Sequence, residues 1–87
     1  MSDEIKEKIE QLIPMFEQIA QDRTVPRNIR TKCEESITVL RDDKDPLPIR
    51  LNTVISCLDE VSNDPNIPMY TRTQIWNIVS ALEAMQK

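Results

Sequence analysis

Four basic residues crowd one short stretch of this chain: Arg23, Arg27, Arg30 and Lys32. Guanidinium and ammonium groups at that density are the footprint expected of a phosphate-contacting surface, and a regulatory or nucleic-acid-associated factor would use them so. The simpler role is a solvated turn and helix start among acidic neighbours. The balance of the chain favours the simpler role, because the net charge is −4 and an acidic surface repels a polyanion. The thiols are Cys33 and Cys57. With no CxxC spacing and no histidine anywhere, zinc would have to be held by two thiolates and carboxylates, an unusual donor set. Missing histidine also removes the commonest general base, and missing glycine removes the loops that cradle phosphates. Carboxylates and lysines remain, but acid–base work requires several of them converging in a cleft. The sequence therefore predicts a protein that is not an enzyme, with no catalytic, cofactor-binding or metal-binding residue.

The elements that would position these groups are set by a repeat. At an offset of 42 residues, Asp22, Pro26, Arg30, Thr31 and Leu40 recur as Asp64, Pro68, Arg72, Thr73 and Leu82. Apolar positions recur with them: Leu12, Ile13, Phe16, Ile19, Val25 and Ile37 return as Val54, Ile55, Leu58, Val61, Ile67 and Val79. A duplicated helix–turn–helix follows. The expected fold is all-α, a four-helix bundle of two tandem hairpins in a single domain over 1–87, the first hairpin about 3–42 and the second about 46–86. Cys33 matches Ile75 and Cys57 matches Met15 in the other copy, so both read as small buried hydrophobes with reduced thiols.

Punctuation places the helices. The first spans Asp3 to Gln21, with Ser2 as its cap and one stripe of Ile5, Ile9, Leu12, Phe16 and Ile19. Pro14 inside it predicts a kink near 12–14. Pro26 opens the second helix, whose buried face is Ile29, Cys33, Ile37 and Leu40 and whose end frays into residues 41–45, the join between copies. Asp45 is the expected N-cap of the third helix, with Pro46 and Pro48 in its first turn and Leu51, Val54, Ile55, Leu58 and Val61 inward. Pro68 opens the fourth, burying Ile75, Ile78, Val79 and Leu82. Without glycine, Asn63 is the best candidate for a left-handed helix end. No apolar run approaches the ~20 residues that span a bilayer, and the charged start MSDEIKEKIE is unlike a signal peptide, so a cytoplasmic protein is expected.

The runs LIPMFEQIAQD and VPRNIR resemble a HEAT-type helical repeat, with Pro14, Asp22 and Ile29–Arg30 in the places of the kink proline, turn aspartate and apolar–Arg pair. The second copy keeps Asp64 and Arg72 but has Ser56 for the proline and Thr71 before the arginine. VPRNIR, SNDPNIP and TRTQIWNIVSALE, and with them nearly the whole chain, resemble the archaeal uncharacterised protein family 0147. That resemblance implies a compact helical fold and an archaeal source, and brings no site residue with it.

Two structural ideas remain. Asp22 with Arg30, and Asp64 with Arg72, are placed to form an ion pair that pins each hairpin. On the last helix Met69, Thr73 and Trp76 share a strip beside the core face. Either this helix buries a wider face, with Trp76 covering the first helix, or Trp76 is an exposed anchor for a protein partner or a second copy of the chain. The expected role is a protein-interaction or scaffold module.

Overall fold

The computed structural model describes residues 3–86. Four helices follow one another: α1 (Asp3–Ala20), α2 (Arg27–Arg41), α3 (Leu47–Ser62) and α4 (Met69–Met85). Short connections force antiparallel neighbours. α1 packs on α2 and α4, and α3 packs on α2 and α4, so the four close into a bundle. The expected cap Ser2 lies outside the described residues.

Each helix buries the face that its apolar spacing marks. α1 supplies Ile9, Leu12, Ile13, Phe16 and Ile19, and α2 supplies Ile29, Cys33 and Leu40. α3 adds Leu51, Val54, Leu58 and Val61, and α4 adds Ile75, Ile78 and Leu82. Val25 and Ile67, at equivalent places in two turns, plug the core from the same end. α1 runs unbroken through Pro14, which sits on its exposed side, where the carbonyl left without a donor borders solvent.

The turns are the least expected part of the fold. Asp22, Asp42 and Asp64 each donate a backbone N–H to the carbonyl three residues back, on Ile19, Val39 and Val61. Their carboxylates then accept from the backbone N–H two residues on, at Thr24 (2.9 Å), Lys44 (3.0 Å) and Asn66 (2.8 Å), the Asx-turn that aspartate forms readily. Four residues after each aspartate stands a proline, extended at ψ near 150° in the N-cap position, with its carbonyl accepting the first helical bonds. Four further on comes an arginine: Arg30, Arg50 or Arg72. Residues 41–45 are therefore no frayed join but the same turn as the other two. Asp45 does not cap α3, because Pro46 takes that position. Asn63 ends α3 at φ −87°, and no described residue adopts left-handed angles, since the Asx-turn reverses the chain without one.

One buried group breaks the pattern. Thr71 takes the place of Ile29, is fully buried, and its hydroxyl has no hydrogen-bond partner. An unmade buried hydrogen bond costs about 1–3 kcal/mol. Thr71→Val keeps the shape and removes the hydroxyl, so it is expected to raise stability by about 1 kcal/mol in urea unfolding. A loss of stability would show that the hydroxyl is satisfied.

Candidate docking face on the last helix

The charged residues that sequence singles out do not assemble into a reactive site. Asp22 and Arg30 form no ion pair, nor do Asp64 and Arg72, among the described residues. The expected carboxylate–guanidinium clamp is thus replaced by another contact. Arg72 donates from Nε to the carbonyl of Ser62 (2.9 Å) and from Nη2 to that of Asp64 (2.8 Å). The last carbonyls of a helix lack internal donors, and a guanidinium reaching back from the next helix supplies them. Arg50 does the same at the middle turn, donating to the carbonyls of Leu40 (2.8 Å) and Asp45 (3.0 Å) while only 4% exposed. Arg30 differs, because its buried Nε meets no acceptor.

Asp22 is occupied elsewhere. It accepts from Thr24 through Oγ1 (2.6 Å) and from the Tyr70 hydroxyl (2.5 Å). These bonds, Thr24 first, hold its carboxyl below the usual aspartate range. They also tie the first turn to the start of α4.

The basic residues scatter. Lys32 pairs with Glu60 of α3 at 3.6 Å, whereas Arg27, five residues earlier, lies about 140° away around α2. Glu10 and Arg41 form a two-bonded pair (3.0 and 3.2 Å) that joins α1 to α2. Among the described residues no group of three His, Cys, Asp or Glu is placed to hold a metal, and no helix is long and apolar enough to cross a membrane.

Both thiols are free. Cys33 is fully buried, and burial above all, with Cys57 and Glu34 adding to it, pushes its pKa up to about 12. Cys57 is half-buried in a shallow groove between α2 and α3. A thiol reagent at pH 8 is expected to label one cysteine of the folded protein, Cys57, and the second only on unfolding. Rapid labelling of both in the folded chain would contradict this burial.

The outer side of α4 is the part of the surface that stands apart. Trp76 is 54% exposed, Met69 70% and Tyr70 52%, so Trp76 does not cover the first helix. Thr73, between Met69 and Trp76, is exposed too, with its hydroxyl on the Met69 carbonyl (3.3 Å). The equivalent helix of the other hairpin carries Arg27 and Glu34, both exposed, where α4 carries Met69 and Trp76. Charged residues make up seven of 18 in α1 and six of 15 in α2, but three of 16 in α3 and two of 17 in α4. An outward helix face that presents Met69, Tyr70 and Trp76 and almost no charge has the side chains enriched in interface cores.

A four-helix bundle closed by Asx-turns defines a small all-α protein whose distinctive surface is one helix. The chain belongs to the uncharacterised protein family UPF0147, whose profile it matches over residues 1–85. A UPF0147 protein of Methanosarcina mazei is 43% identical over 84 residues, 97% of this chain and 90% of that protein. One from Thermococcus kodakarensis is 43% identical over 83 residues, 94% of this chain and 100% of that protein. The crystal structure of a UPF0147 protein from Thermoplasma acidophilum is similar at a TM-score of 0.86 and 36% identity, covering 92% of this chain and 94% of that one. A crystal structure of "unknown function protein MMP1188" is similar at 0.85 and 44% identity, covering 92% and 91%. The family is uncharacterised, so it assigns no activity.

Proposed function

We propose that this protein is a non-enzymatic interaction module, a small helical-repeat scaffold working in the cytoplasm, that docks a protein through the outer side of α4. The observation that carries the reading is the exposed Trp76–Met69 strip at positions where the equivalent helix α2 is charged. Tryptophan supplies large contact area at low entropic cost and is enriched among residues that dominate binding. Free thiols suit a reducing compartment.

Trp76→Ala tests the reading. Half of the indole is already in solvent, so the variant is expected to lose about 1 kcal/mol of stability or less, far below the ~3–5 kcal/mol of a buried aromatic. As bait in an extract of the native cells, it is expected to lose proteins that the wild-type chain retains. Identical capture by the two baits would reject α4 as the docking face.

A further inference from the structure

We infer that the occupant of this face is a second copy of the chain, related by a two-fold axis that sets α4 antiparallel to its mate. The inference rests on the docking reading above and adds the partner and its orientation.

α4 carries two charged residues, Arg72 and Glu83. They are eleven residues apart, three turns plus about 20°, so they lie on one side of the helix. Trp76 falls between them on that same side, four residues from one and seven from the other. Each stands at the wrong end of its own helix. A cation in the first turn and a carboxylate in the last both oppose the macrodipole, which favours the reverse. Neither forms an ion pair within the chain among the described residues. The bonds of Arg72 go to the neutral carbonyls of Ser62 and Asp64, through Nε and Nη2.

An antiparallel mate resolves both charges together. Arg72 then faces Glu83 of the partner subunit, and Glu83 faces Arg72 of the partner subunit. Each charge also approaches the pole of the neighbouring helix that attracts it. A parallel mate would set arginine against arginine and glutamate against glutamate. The axis falls midway, between Asn77 and Ile78, so each Trp76 lies within half a turn of the centre and the two indoles come together across the axis.

Sedimentation velocity across about 1–500 μM, read beside tryptophan emission, tests this on the full chain. Trp76 is the single tryptophan, so its emission reports this face alone. Wild type is expected to form dimers, with emission moving to shorter wavelength as they form. Trp76→Ala and Glu83→Arg are each expected to raise the dissociation constant at least about tenfold with helical content unchanged. Glu83→Arg and Arg72→Glu are each expected to self-associate poorly, and an equimolar mixture to form a heterodimer, since both charge contacts are then complementary. If Arg72→Glu does not fold, the salt dependence of Glu83→Arg decides, because screening is expected to recover part of its association. A wild-type chain that stays monomeric with unshifted emission overturns the second copy as occupant. Docking through α4 survives that result if Trp76-dependent capture persists. Dimers indifferent to Trp76→Ala and Glu83→Arg place self-association on another face and overturn the inference equally.

Discussion

Phe16→Ala is expected to cost about 3–5 kcal/mol, the usual loss when a large aromatic leaves a closed core. Phe16 is fully buried at the centre of the α1 stripe, and it is the single phenylalanine of the chain. A domain of this size holds only about 5–10 kcal/mol in total, and each kcal/mol moves the melting temperature about 4–8 °C. The variant should therefore melt at least about 12 °C lower and be partly unfolded in mild urea. Circular dichroism against urea measures it. A loss under about 1 kcal/mol would mean that the core around Phe16 is not close-packed.

Arg50→Ala is expected to cost about 2–4 kcal/mol, although it removes no apolar contact of the first rank. Truncation strips the donor from the carbonyl of Leu40 in a buried bond and from that of Asp45 in a half-buried one, and a buried acceptor left unmet costs about 1–3 kcal/mol. Arg72→Ala removes the same kind of cap at the half-buried third turn and is expected to cost roughly half as much. Lysine at position 50 should rescue little, because a single ammonium cannot span two carbonyls as a planar fork does. Equal losses for Arg50→Ala and Arg72→Ala would separate these effects from burial.

The helices were legible because their apolar residues recur at helical spacing and prolines mark their starts. The turns were half legible. Asp22, Asp64, Arg30 and Arg72 stand out in the sequence as matched opposite charges, and opposite charges invite pairing. The acceptors that Arg72 uses are backbone carbonyls, which every residue carries and no sequence pattern marks. The link from Asp42 through Pro46 to Arg50 is hidden for a different reason. The spacing Asp-x3-Pro-x3-Arg occurs three times, at steps of 20 and 22 residues, and a search for one exact period sees only their total. Trp76 was undecidable from sequence, since a residue beside the core stripe is covered or bare according to how far a neighbouring helix overlaps it. Thr71 stood out as a departure from a repeat pattern, but its burial without a partner depends on packing alone.

The absence of any left-handed residue among the described ones bears on the denatured chain as much as on the native one. With no glycine and six prolines in 87 residues, the backbone has fewer conformations to gain by unfolding. A glycine replaced by alanine, or a residue by proline, is worth about 0.4–1 kcal/mol through that route when the native angles permit it, and here they do, because aspartate side chains and proline N-caps reverse the chain in ordinary backbone regions. Part of this small protein's stability should therefore reside in the stiffness of its disordered state, where no inspection of native contacts would find it.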